Sequence, residues 1–469
     1  MFLPLNGKLL IIFYLPQSLP KCAFVSDKWV WTFQISMESQ SVAARLNSSG
    51  FLRTQGLIAG KWTDAYDGKT IKVHNPATGE VIANVPCMGG KETNDAISSA
   101  YDAFKSWSKV TAAERSKCLR KWYDLIVAHK EELGQLITLE QGKPLKEAIG
   151  EVIYGASFIE FAAEEAKRVY GDIIPSTLPD RRLFVLKQVG PALACGCTVV
   201  VKPSELTPLT ALAAAELSLQ AGIPPGAVNV VMGNASAIGD ALLASPEVRK
   251  ITFTGSTAVG KKLMAGAAGT VKKISLELGG NAPCIIFDDA DLDVAIKGTV
   301  SQDLSKQNDC DLATKFRNSG QTCVCANRII VQEGISHTDM GIELVVTGSV
   351  CNAKRGIIDM VMEFKVLKEH KIMDKNEKKK KKIIGIYDKF ASALSNAVQK
   401  MQVGDGFHEG VLQGPLINEA AVQKVESFLD DATSKQAAKV DSPPTSHNPL
   451  IPGEDNISLV EAVNEDNVF

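Results

Sequence analysis

The sequence predicts an α/β fold organised around a doubly wound parallel sheet. Three observations carry that prediction. Residues 195–287 alternate short β-branched runs with Ala- and Leu-rich stretches at βαβ spacing. Residues 91–167 read as helix and residues 57–86 as strand and turn. The 469 residues suffice for two or three domains, each with its own core.

The elements follow in order. Residues 1–36 contain no arginine, and the apolar run Leu9–Leu15 is too short to span a membrane. Met37 offers a second start, followed by a mildly amphipathic segment carrying Arg45 and Arg53 but also the acidic Glu38. From Leu57 to Pro86, Asn75-Pro76-Ala77-Thr78-Gly79 is a turn cluster between β-type runs. From Lys91 to Lys167, Ala, Leu, Glu and Lys dominate, punctuated by Glu140-Gln141-Gly142-Lys143-Pro144. Arg168–Ser176 and Arg181–Gln188 read as two strands around a Leu-Pro-Asp turn.

Strand and helix then alternate. Thr198–Lys202, Val228–Met232, Lys250–Thr254 and Ile274–Leu278 are strands; Thr207–Ala221, a stretch through Leu243, and Thr257–Ala265 are helices. Three stretches break the pattern. Ser301–Leu312 is polar, and Ser336–Gly385 lacks periodicity and holds the lysine run Lys378–Lys382, read as a solvated insertion rather than a nuclear address. Asp441–Phe469 is Pro-, Asn- and acid-rich and is expected to be a disordered tail.

Composition excludes several functions. The net charge of −2 gives no reason to expect nucleic acid or an acidic membrane as partner. The six histidines form no H-x-x-x-H cluster, so no metal site is expected. Ten scattered cysteines, without C-x-x-C spacing, read mostly as buried free thiols of a reducing compartment.

Four places carry candidate chemistry. Lys202-Pro203-Ser204-Glu205 closes a parallel-type strand, where open α/β sheets bind ligands. The lysine can hold a phosphate or ribose hydroxyl and the glutamate can accept from ribose; a charged pair at a surface strand end is the alternative. Gly255-Ser256 joins a strand to a helix whose first N–H groups can receive a pyrophosphate, although the segment is not G-x-G-x-x-G and also fits a plain tight turn. Glu277 interrupts an apolar strand just before Gly279-Gly280, where a carboxylate is either a buried liability or a general base. Cys323 ends the polar loop Asn318-Ser319-Gly320-Gln321-Thr322, the setting of a reactive rather than a core thiol. Cys325 is close enough to compete for oxidation, so a strained Cys323–Cys325 bridge is a possible redox off-switch.

Leu276–Pro283 and Phe316–Cys323 closely resemble the two signature segments of the aldehyde dehydrogenase superfamily. The resemblance runs over Gly56–Gln188, Val189–Gly298, Ala313–Ile335 and Tyr387–Val440. The Glu140–Ala148 segment and the run through Asn327 look most like the plant branch that oxidises succinate semialdehyde to succinate in 4-aminobutyrate degradation. The resemblance implies that Cys323 adds to the aldehyde as a thiohemiacetal, that hydride loss leaves a thioester, and that Glu277 activates the water that releases the acid. It implies NAD or NADP as cofactor, with Lys202, Ser204 and Glu205 at the adenine ribose and Gly255 and Ser256 near the pyrophosphate. Arg317 would hold the substrate's far carboxylate, a charge-assisted contact that suits a semialdehyde acid.

The same resemblance implies an N-terminal extension over 1–54, which is a targeting or disordered segment. An NAD-binding domain over 55–276 would include a bridging hairpin at 168–188. A catalytic domain over 277–440 would be interrupted by insertions at 301–312 and 336–386, before a tail at 441–469 outside the family pattern. Family habit implies a mitochondrial homotetramer, with a cytoplasmic location as the alternative. Between Gln188 and Val189 the family carries a further segment, with its first nucleotide-fold strand, a second substrate arginine and a Pro-Trp-Asn-Phe-Pro motif. No such motif occurs in this sequence. Its asparagine completes the oxyanion hole, and losing one such donor costs about a hundred- to a thousandfold in rate. The resemblance ends at Val440, before the family's Glu-Glu-Ile-Phe-Gly-Pro segment and its terminal strand. Little or no turnover is therefore expected, and a catalytically inactive remnant that binds nucleotide weakly or joins full-length subunits is the alternative reading.

Overall fold

A computed structural model describes residues 42–168, 184–280, 282–287, 289–300, 315–323, 325–331, 342–344, 386–434, 438–440 and 459–461. The N-terminal 41 residues, 301–312 and Lys378–Lys382 lie outside the described residues, as does most of the strand expected at 168–176.

A short helix α1 (residues 42–48) leads into a hairpin of β1 (Gly56–Ile58) and β2 (Lys61–Thr63). Ala59 and Gly60 turn it with φ of 54° and 74°, the left-handed pair that matches strand twist. Strands β3 (Thr70–His74) and β4 (Val81–Pro86) pair antiparallel around the expected Asn75–Gly79 turn. There Asn75 Oδ1 accepts from Ala77 N at 2.9 Å, and Gly79 supplies φ 76°.

Four helices follow: α2 (Gly90–Trp107), α3 (Ala112–Ala128), α4 (Lys130–Gln141) and α5 (Leu145–Glu165). Thr111 and Glu114 cap α3 reciprocally, and Gly142 ends α4 at φ 88°. Trp107 and Trp122 are fully buried, yet their indole N–H groups donate to Leu193 O at 3.2 Å and Ala214 O at 3.0 Å. Each ring removes about 150–250 Å² from water without stranding its donor.

Of the segment expected as a second hairpin strand, 181–188, the described residues 184–188 instead begin helix α6 (Phe184–Ala194). Val189, Leu193 and Ala194 are buried at helical spacing. Gly190 lies so close to α5 that an added Cβ would stand 3.1 Å from Ile159 and 3.2 Å from Ala162. Packing on α5 thus overrides the β-type composition of Phe184-Val185-Leu186.

The βαβ alternation appears as read: β5 (Val199–Val201), α7 (Leu209–Gln220), β6 (Val228–Val230), α8 (Ala235–Ala244), β7 (Lys250–Thr254), α9 (Thr257–Ala268) and β8 (Lys273–Glu277). It does not close into one doubly wound sheet. Strands β5 and β6 run parallel in a sheet of order β2-β1-β6-β5, while β7 and β8 form a separate parallel pair. The break falls between β5 and β7. Among the described residues no strand pairs with the outer edge of either.

A further sheet follows from β9 (Ala282–Ile286), α10 (Leu292–Val300), a 3₁₀ turn (Arg317–Gly320), β10 (Ala326–Val331) and β11 (Ile342–Leu344). Its order is β11-β10-β9, with β9 and β10 parallel. Strand β11 falls inside the stretch read as a solvated insertion without periodicity, and it pairs antiparallel with β10. Main-chain bonds suffice to recruit it, because ladder pairing does not require a periodic sequence. Helices α11 (Ile386–Gln399) and α12 (Glu419–Ser434) complete this half, and β12 (Ala438–Val440) pairs with β13 (Leu459–Glu461). The tail expected to hold no element therefore supplies one strand.

Two main cores result. One gathers Leu119, Ile126, Leu136, Ile159 and Leu212 between the helices and the β5–β6 sheet. The other packs Ile286, Phe316, Ile329 and Val331 against Phe390 and Leu394 of α11. Among the described residues no helix is long and apolar enough to cross a membrane, and no cluster of three His, Cys, Asp or Glu side chains could hold a metal.

Candidate active site

Two parallel strands set up the site. In the β9–β10 ladder Ala282 pairs with Ala326 and Ile286 with Val331. The turn after Glu277 enters β9 and the loop carrying Cys323 enters β10, so both arrive at the same end of one sheet. Glu277 is half-buried at the last position of β8, followed by exposed Gly279 and Gly280. Cys323 is a half-buried free thiol.

The loop before Cys323 is unusual in its backbone. Asn318 and Ser319 both hold φ near 52–53°, and Gly320 holds 77°. A non-glycine residue there costs about 1 kcal/mol. Several bonds hold the turn. Ser319 Oγ donates to Gly414 O at 2.8 Å, Gln413 Nε2 donates to Phe316 O at 2.9 Å, and Ile417 N donates to Gln321 Oε1 at 3.1 Å. On the opposite side Asn318 N donates to Glu147 Oε1 at 3.0 Å, and Gln141 Nε2 donates to Asn318 Oδ1. Gln141, Glu147, Gln321 and Gln413 were not singled out from the sequence. Gln141 and Glu147 fall in the Glu140–Ala148 segment, which entered only as helix punctuation and as part of the family resemblance, with no role given to either side chain.

Arg317 opens the turn, half-buried, with its charge felt at Glu147. Cys325 is buried, and its Sγ donates to Arg317 O at 3.4 Å. Burial pushes the Cys325 thiol up, making it a poorer thiolate than an exposed cysteine.

The nucleotide candidates fall into two places. Gly255 and Ser256 join β7 to α9, and Gly255 N donates to Glu277 O at 3.1 Å, which brings this turn beside the candidate base. Ser256 Oγ caps α9 by accepting from Val259 N at 3.4 Å. A Cβ on Gly260 would stand 2.6 Å from Leu278 Cδ2, so the glycine lets α9 lie close against the end of β8. Thr254 Oγ1, one residue before Gly255, is buried without a partner, which suits a polar ligand group at this strand end. Lys202 sits at the end of β5, as expected, and its Nζ binds Glu205 Oε1 at 2.7 Å. Ser204 Oγ accepts from Leu206 N at 3.2 Å. Because β5 and β7 lie in different sheets, the structure does not join this ion pair to the Gly255 turn through one ladder.

Comparison with known proteins gives this geometry a lineage. The aldehyde dehydrogenase family matches residues 62–188, 182–345 and 384–446. The match thus continues past Val440 and reaches into the stretch expected as an insertion from 336. Its first two blocks overlap at 182–188. Mitochondrial succinate-semialdehyde dehydrogenase of Arabidopsis thaliana is 64% identical over 425 residues, spanning 86% of this chain and 69% of that protein. The enzyme of the same description from Oryza sativa is 61% identical over 424 residues, spanning 86% and 68%. An E. coli NADP-dependent enzyme of solved structure superposes with a TM-score of 0.67 at 42% identity, over 85% of this chain and 74% of that one. PnpE, solved in complex with nicotinamide adenine dinucleotide, superposes with a TM-score of 0.65 at 28% identity, over 82% and 70%. The chain belongs to the aldehyde dehydrogenase family.

Proposed function

We propose that this chain carries the apparatus for NAD(P)-dependent oxidation of succinate semialdehyde to succinate, in the mitochondrial setting of its plant relatives. One observation supports the reading above others. The β9–β10 register delivers a carboxylate turn and a cysteine loop to the same sheet end, in a chain 64% identical to an enzyme of that name.

In this reading the Cys323 thiolate attacks the aldehyde carbon, a C–S bond forms, and the carbonyl oxygen becomes the oxyanion of a thiohemiacetal. A bound nicotinamide supplies the acceptor for the hydride that leaves this carbon, and a thioester remains on Cys323. Glu277 takes a proton from water as water adds to the thioester. The C–S bond then breaks, releasing the acid and the thiolate. Arg317 would hold the substrate's carboxylate, at the far end from the aldehyde. The residues present fit a dinucleotide: Lys202, Ser204 and Glu205 would hold the adenine ribose, and Gly255 and Ser256 would lie at the pyrophosphate.

Turnover is expected to be low, because the sequence lacks the Pro-Trp-Asn-Phe-Pro motif that supplies an oxyanion donor. A second reading rests on the division between β5 and β7. In it the chain is a catalytically inactive relative that binds nucleotide weakly or associates with full-length subunits of the family's tetramer. NAD(P)H production from succinate semialdehyde, paired with a thermal shift on adding NAD or NADP, separates the two. Any turnover abolished by Cys323→Ser supports the first. A cofactor shift without turnover supports the second, and neither signal would sink both.

A further inference from the structure

Helix α4 ends and α5 begins at Gln141-Gly142-Lys143-Pro144, far in sequence from the nucleophile loop yet directly beneath it. Gln141 Nε2 donates to Asn318 Oδ1, and Glu147 Oε1 accepts from Asn318 N at 3.0 Å. Glu147 is only 8% exposed, and its second oxygen is buried without a partner. A buried carboxylate with a spare oxygen is costly, and here its cationic neighbours are Lys143 and Arg317, with Glu151 also facing it and ion-paired to Lys143.

The opposite wall is as close. A Cβ on Gly414 would stand 2.0 Å from Gly142 O, and one on Gly406 would stand 2.3 Å from Lys143 O. Leu145 N donates to Gly406 O at 2.9 Å. The turn at 142–144 and the strip at 406–415 are therefore in backbone contact, and the Asn318–Ser319 turn is bonded to both sides. Two consecutive left-handed non-glycine residues persist only where their surroundings over-determine them.

We propose that Gln141 and Glu147 are positioning residues for the nucleophile, forming a seat that fixes the Arg317–Gly320 turn and so sets how Cys323 and Arg317 are presented to substrate. Glu147 binds the peptide N–H, and Gln141 binds the side chain of the same residue. Neither needs to touch the reacting atoms. The inference rests on Cys323 being the reactive thiol, as proposed above. Its test reads thiol presentation without substrate, so it can fail while the aldehyde chemistry stands.

The test is the rate of Cys323 alkylation by iodoacetamide, followed by peptide mass spectrometry in the full chain. The exposed Cys195 and Cys197 serve as internal standards. Glu147→Ala and Gln141→Ala should each change the Cys323 rate by about tenfold while the standards hold, since small displacements of a reacting group carry large kinetic penalties. Glu147→Gln keeps an oxygen for Asn318 N–H and should restore most of the rate. If Glu147→Ala does not fold, Gln141→Ala decides. An unchanged Cys323 rate in the folded alanine variants would overturn the proposal, as would a Glu147→Gln variant as perturbed as Glu147→Ala.

Discussion

Glu140 is the most informative side chain to perturb outside the site. It is fully buried near the end of α4 and receives three donors from the start of α7: Leu209 N at 2.7 Å, Thr210 N at 2.9 Å and Thr210 Oγ1 at 2.5 Å. The two peptide N–H groups are orphan donors of a helix N-terminus, and no side chain at the start of α7 caps them. In Glu140→Ala the two peptide N–H groups lose their acceptor in a pocket where Leu209 is fully buried. At about 1–3 kcal/mol for each stranded donor, with the hydroxyl free to turn elsewhere, the loss is about 2–6 kcal/mol.

The pH dependence carries a definite sign. Burial pushes the Glu140 carboxyl from 4.5 up to about 7, against the pull of its three donors. The unfolded chain releases this proton near 4.5 and the folded chain near 7. Between those values the folded state holds more protons, so rising pH erodes stability, by at most about 3 kcal/mol from this group. Urea unfolding of the wild type and Glu140→Ala at pH 5 and pH 8, with amide exchange at Leu209 and Thr210, measures both effects. The stability gap between the two proteins should narrow as pH rises. A gap that widens would mean the helix-terminal donors outweigh burial, and the reasoning would be wrong.

Three further outcomes are expected. Gly414→Ala places a Cβ against the Gly142 carbonyl, backbone on backbone, and should lower stability by about 1–3 kcal/mol while altering Cys323 alkylation; an unaltered melting temperature would contradict this. Ser256→Ala removes the cap of α9 at a long 3.4 Å bond, so about 0.5–1 kcal/mol should be lost, and any thermal shift induced by NAD should shrink. Mild peroxide should consume the Cys323 thiol equally with and without Cys325→Ala, because the Cys325 thiol is buried and pushed up; protection or loss that depends on Cys325 would favour the redox bridge.

Much of this was legible in the sequence because local chemistry wrote it. Val199–Val201 and Val228–Val230 are valine-rich runs suited to parallel strands, and Asn75–Gly79 is a turn whose side chain and glycine each have a defined task. The signature around Cys323 marked the candidate nucleophile before any geometry. Other features depend on partners distant in the chain. Phe184–Ala194 carries strand-like residues, and only the α5 surface beneath Gly190 makes it a helix. The division between β5 and β7 is a matter of strand order, which local pattern does not encode. Glu147 and Gln141 meet Asn318 across 171 and 177 positions of sequence, so these contacts could not be read from the local pattern around either residue.

The central claim is that the Cys323 sulfur bonds transiently to an aldehyde carbon. Substrate protection measures it without requiring turnover: iodoacetamide labelling of each cysteine, with and without succinate semialdehyde, resolved by peptide mass spectrometry. The aldehyde should slow labelling at Cys323 in a saturable way and leave Cys195 and Cys197 unaffected. Labelling of Cys323 at the same rate at every aldehyde concentration would contradict the account.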